Sequence, residues 1–120
     1  MQYFKDRGNA FVHALRGLAA AFRSEPHIKI HAAALVIVAA TAVYFGVGPG
    51  EWLAIAGCSV LVLITELFNT AIEKLCDVVH PGIHPTIKYI KDISAAAVLL
   101  ACVFSLVVGA VIFVPHLLTD

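Results

Sequence analysis

Trp52-Leu-Ala-Ile-Ala-Gly-Cys-Ser-Val-Leu-Val-Leu-Ile-Thr65 carries no ionisable group apart from the nearly inert Cys58, and it leads into Glu66-Leu-Phe-Asn69-Thr-Ala-Ile-Glu73-Lys-Leu-Cys-Asp77 before a His80-Pro81-Gly82 break. A helix rises about 1.5 Å per residue and about 30 Å of hydrocarbon must be crossed, so roughly 20 mostly apolar residues read as a membrane span. The run from Trp52 therefore predicts a transmembrane helix over about 52–76, one that ends in a row of acids.

Working outward, two further stretches qualify. His31–Val47 is short but free of charge from Ala32 onward, and Gly46, Gly48, Pro49 and Gly50 then break it. Ile93–Val114 is uncharged, and Pro115 is expected to close it. The chain as a whole is 61% hydrophobic and 13% charged over 120 residues, more apolar material than one small soluble core hides. The bilayer is then the solvent and residues 1–120 form a single unit. Eight basic residues balance eight acidic ones, so there is no basic field of the kind that gathers nucleic acid. Cys58, Cys76 and Cys102 stand singly in apolar runs and read as small buried hydrophobes. Met1–Arg7 is polar and lacks an apolar leader core, which predicts that all three apolar segments are retained spans.

Orientation follows from the basic residues. Lys5, Arg7, Arg16, Arg23 and Lys29 precede the first span and Lys74, Lys88 and Lys91 flank the loop between the second and third, whereas the Gly46–Glu51 turn and the tail after Pro115 have none. The positive-inside rule puts the N-terminus in the cytoplasm and the C-terminus outside, with Trp52 as an anchor at the far interface. Ahead of the first span, Phe11, Leu15, Leu18 and Phe22 share one helical face away from Arg16 and Arg23. That pattern predicts an amphipathic surface helix over about 8–24, lying in the cytoplasmic headgroup layer.

The acidic segment is the functional signal. Glu66, Asn69, Glu73 and Asp77 project within roughly an 80° arc at about 100° per residue, so three carboxylates and an amide form one stripe. Acids in a span are costly unless paired, metal-bound or neutralised, and gluing helices together needs only one amide or hydroxyl. Counted from Trp52, Glu66 lies about 21 Å and Asp77 about 37 Å along the helix, so the stripe begins near the inner interface and climbs into water. Lys88, Lys91 and Asp92 follow in the loop and third span, then Ser94-Ala95-Ala96-Ala97, small enough for close helix approach. Carboxylates hold Mg²⁺, Mg²⁺ and Lys bind phosphate oxygens, and an unliganded carboxylate takes a hydroxyl proton: together these are the parts of phosphoryl transfer. Neither a Gly-x-x-x-x-Gly-Lys-Ser/Thr loop nor a protein-kinase signature set is present. An oligomeric ion channel or transporter subunit is the competing reading, and a non-catalytic scaffold a third; the first favours acids at mid-span and the second none.

Glu66-xx-Asn69-x-Ala71-Ile72-Glu73-xxx-Asp77 followed by Lys91-Asp92-x-x-Ala95-Ala96-Ala97-Val98 resembles the signature of the prokaryotic diacylglycerol kinase family, which includes undecaprenol kinases. The resemblance covers nearly the whole chain, since the surface helix, the Ser24-Glu25 pair and the three spans also look like that family. It implies an all-α integral membrane protein of the bacterial inner membrane, a homotrimer with active sites between subunits, that uses ATP and Mg²⁺ to phosphorylate a lipid alcohol. It further implies Glu66 as catalytic base with Asn69 orienting groups beside it, and Glu25 and Glu73 as metal-coordinating acids. Lys91 and Asp92 would serve the nucleotide phosphates and their surroundings, Asp77 the nucleotide end of the stripe, and His84 a nucleotide-contact position. Pro26-His27-Ile28-Lys29-Ile30-His31 is similar to the undecaprenol kinase branch, and Ala95 stands where some diacylglycerol-specific members carry Ser, so both acceptors stay open with a lean toward the polyprenol. His27 and His31, four apart, have no third ligand and read as interfacial residues.

Overall fold

The computed structural model describes residues 2–119 as four α-helices: α1 (Gln2–Ser24), α2 (Pro26–Phe45), α3 (Pro49–Val79) and α4 (Pro85–Leu118). Prolines set the boundaries. The ring of a proline pushes the preceding residue out of the helical region, and Glu25, Gly48, His80 and His84, each followed by proline, all have extended backbone. Pro26, Pro49 and Pro85 then sit in the first turns of α2, α3 and α4, where a missing N–H loses no helical bond. The reversal between α2 and α3 depends on Gly46, whose left-handed backbone (φ 64°, ψ 45°) lets Val47 N–H reach back to Ala42 O at 3.2 Å.

The helices are longer than the spans the sequence suggests. α1 starts at Gln2 and not near residue 8, α2 at Pro26 and not 31, and α4 at Pro85, well before 93. Hydropathy marks only the part of a helix that suits lipid, whereas the backbone stays helical through polar flanks until a proline stops it. Pro115 does not close α4, which runs on to Leu118. Proline forfeits one bond to the residue four back and crowds that carbonyl, and so close to the helix end only the last turn feels it. At about 1.5 Å per residue α3 and α4 are about 46 and 51 Å long, well beyond the hydrocarbon thickness, so their ends project past it.

α2, α3 and α4 are each long and apolar enough to cross a membrane, and the chain is a multi-pass membrane protein. Leu35, Val36, Leu53, Leu100 and Leu106 are exposed along them, as lipid-facing side chains should be. Hydroxyls in the spans bond to their own helix, Thr41 to Ile37 O and Ser105 to Ala101 O, each at 2.8 Å. α3 and α4 pack most extensively. The buried core, Ala42, Val47, Ile55 and Ile112 with Phe45, Trp52 and Phe113 against it, gathers at the Gly46 end. There His116 Nε2 meets Glu51 Oε2 at 3.0 Å. Toward the opposite end, called here the loop end after residues 80–84, α2 stays beside the α3–α4 pair and Ile28 is fully buried. A groove of about 700 Å³ opens between them, mostly apolar and running from His31 to Phe113. Phe22 of α1 lines it too, while Phe11, Leu15 and Leu18 stay exposed. Cys58 and Cys76 are buried and Cys102 half-buried, all as free thiols.

Candidate active site

The stripe on α3 grades from apolar surroundings to water. Glu66 is buried at 5% exposure, Asn69 is half-buried, and Glu73 and Asp77 are exposed. Glu66 is the only buried carboxylate among the described residues. A carboxylate that deep is tolerated where a compensating group faces it, and His31 of α2 does so, with Nε2 3.4 Å from Glu66 Oε2. That separation suits ion pairing but is longer than a formed hydrogen bond. The sequence reading left His31 as an interfacial residue. The available signal was its place at the very start of the first span, where an ionisable side chain entering the bilayer needs a partner.

One turn along, Asn69 ties α3 to α4. Ser94 Oγ donates to Asn69 Oδ1 at 2.8 Å, and Asn69 Nδ2 donates to Glu73 Oε1 at 3.2 Å. Both ends of the amide are thereby used and its orientation is fixed. Ser94 is itself buried, whereas Ala95, Ala96 and Ala97 of the same small-residue run are exposed, and its hydroxyl as a fixing donor was not foreseen.

Glu25 is placed by the break between α1 and α2. Its N–H bonds Ala21 O at 3.0 Å and its carbonyl receives Lys29 N–H at 3.4 Å, so a single extended residue joins two helices. The carboxylate makes no capping bond and meets Lys74 Nζ at 3.7 Å. Since Lys74 follows Glu73 in α3, Glu25 lies level with that turn of the stripe. Among the described residues no three metal-ligating side chains converge. A Mg²⁺ site needs no such cage, because the ion keeps waters and binds one or two carboxylates together with substrate phosphates. Two hard oxygen donors at one level of the bundle fit that requirement.

At the end of the stripe Lys91 Nζ donates to Asp77 Oδ1 at 2.7 Å, bridging α4 to α3. Asp92 is turned elsewhere, accepting from Lys88 Nζ at 2.5 Å on its own helix. His84 caps α4, its Nδ1 accepting from Thr86 N–H at 3.1 Å, and a neutral ring that accepts there carries its proton on Nε2, a donor. The His80 ring stands edge-on to it with centroids 5.2 Å apart. The structure thus brings Glu66, Asn69, Glu73, Asp77 and Lys91 into one connected surface with Glu25 beside it. Asp92 and His84 lie at its rim, engaged in local bonds.

The sequence profile of the prokaryotic diacylglycerol kinase family matches residues 12–113. The chain is 36% identical over 108 residues to an undecaprenol kinase of Bacillus subtilis, an alignment covering 90% of this chain and 88% of that one. It is 35% identical over 113 residues to a diacylglycerol kinase of Synechocystis, covering 92% of this chain and 63% of the relative. To the diacylglycerol kinase of Escherichia coli K12 it is 25% identical over 104 residues, 87% and 85% of the two lengths.

Proposed function

The chain belongs to the prokaryotic diacylglycerol kinase family, and from that premise we propose that it transfers the γ-phosphoryl group of ATP to the hydroxyl of a membrane lipid, with Mg²⁺, at the cytoplasmic side of a bacterial inner membrane. The observation that carries the reading is the burial gradient along α3. One carboxylate is buried, beside the His31 that lines the apolar groove, and the next acids are exposed, where a nucleotide can reach them.

In this reading Glu66 takes the proton of the acceptor hydroxyl, the oxygen attacks the γ-phosphorus, and the bond to the β-phosphate oxygen breaks with its electrons leaving on ADP. Asn69 holds its place beside the base through Ser94. Lys91 exchanges part of its contact with Asp77 for phosphate oxygens. Glu25 and Glu73 would hold Mg²⁺, which when bound supplies charge neutralisation for the phosphates. The groove ending at His31 takes the lipid chain. All eight Lys and Arg residues belong to α1 or to the loop-end portions of α2, α3 and α4, which supports a cytoplasmic N-terminus and an outer C-terminus. The exposed Phe11, Leu15 and Leu18 of α1 suit a helix lying in the headgroup layer. The half-exposed stripe suits a homotrimer in which a neighbouring copy completes the site, with the whole chain as one catalytic unit.

Both kinds of relative leave the acceptor as either diacylglycerol or undecaprenol. Ala95 and the Pro26–His31 segment favour the polyprenol. Incubating purified protein with γ-labelled ATP, Mg²⁺ and each lipid, then counting the organic phase, tests the proposal. Label is expected in at least one lipid and more in undecaprenol; no label in either sinks it.

A further inference from the structure

Resting on the kinase reading, we propose that His31 is a positioning residue for Glu66: its Nε2–H is directed at Oε2 and orients the carboxylate toward the acceptor hydroxyl. Three observations carry this. His31 Nε2 is 3.4 Å from Glu66 Oε2, and Glu66 is the one carboxylate among the described residues within ion-pair distance of it. The Glu66 side chain is only 6% exposed and that of His31 27% exposed, so few groups can reach the carboxylate and His31 is one that does. His31 also lines the apolar groove, in which the other titratable groups are the thiols Cys58 of α3 and Cys102 of α4; Phe22 is what α1 contributes.

Among the described residues no other cation or imidazole stands within ion-pair distance of Glu66, so His31 is the group placed to hold it. The step balances as follows. The acceptor O–H bond breaks and its oxygen forms the new bond to phosphorus while ADP departs with the old bonding pair. The proton moves to Glu66 Oε1, while His31 Nε2–H holds Oε2 throughout and neither gives nor takes a proton. The resting 3.4 Å leaves room for the pair to close when substrate excludes water, as such contacts often tighten only in the loaded site.

The test uses the full chain in nanodiscs with the variants His31→Leu and His31→Gln, the latter keeping an amide near the Nε2 position without a titrating ring. His31→Leu is expected to lower kcat by about 10²-fold with KM for Mg-ATP nearly unchanged. His31→Gln should recover about tenfold of that loss by restoring orientation alone. Wild-type kcat in His31→Leu overturns the proposal. Equal losses in both variants overturn it as well, since a packing role predicts that result. Mg-ATP binding to each variant shows that it is folded, and His31→Gln carries the test should His31→Leu fail to fold. Absence of lipid labelling by the wild type would defeat the kinase reading itself, a result distinct from an active wild type that is indifferent to His31.

Discussion

Ser94 Oγ and Asn69 Oδ1, 25 residues apart in sequence, are joined at 2.8 Å across the α3–α4 contact. This buried bond lies one turn from Glu66 and continues through Asn69 Nδ2 to Glu73, so packing of the two longest helices and alignment of the stripe depend on the same amide.

Ser94→Ala removes the donor while leaving the amide half-buried. The variant is expected to lose about 1 kcal/mol of stability, read as a lower midpoint in thermal unfolding in micelles. Turnover should fall further than that loss explains, because the Asn69 amide is then free to flip. A Ser94→Thr variant that keeps the hydroxyl should retain most activity.

Glu25 and Glu73 separate from Glu66 in a metal titration. Glu25→Ala and Glu73→Ala should each raise the Mg²⁺ concentration for half-maximal activity by about tenfold or more, with saturating Mg²⁺ restoring part of the rate. The Lys74 contact to Glu25 is loose and surface-exposed, so Lys74→Ala should change thermal stability little.

Lys91→Ala tests the nucleotide end. Its partner Asp77 is solvated, so stability should be nearly untouched, whereas KM for ATP should rise by about tenfold through loss of a charged contact to phosphate. An unchanged KM would remove Lys91 from the site.

At the far end of the bundle Gly46→Ala places a Cβ on a left-handed backbone and should cost about 1 kcal/mol of stability. Turnover per folded molecule should stay near wild type, since the site lies at the opposite end of α3.

Much of this was legible in the sequence because it depends on periodicity and composition. The spacing of Glu66, Asn69, Glu73 and Asp77 fixes a shared face for any helix, and uninterrupted apolar runs mark the spans. Helix ends were not legible from hydropathy, since Pro85–Asp92 is polar yet helical and Pro115 lies inside α4. A stricter reading of the residue before each proline would have located Glu25 and His84 as boundary residues, because that effect is local. The pairings of His31 with Glu66, of Ser94 with Asn69 and of His116 with Glu51 were not legible, as they arise from how separate helices dock. Asp92 shows the converse: a neighbouring Lys88 four residues back on the same helix face claims it.

The central claim is that the buried acid of α3 accepts the lipid proton during phosphoryl transfer. Glu66→Gln keeps the shape and removes the base, so single-turnover transfer of label from γ-labelled ATP to lipid measures the claim directly. The account predicts a loss of about 10²-fold or more in rate with Mg-ATP binding retained. Transfer at the wild-type rate would contradict it.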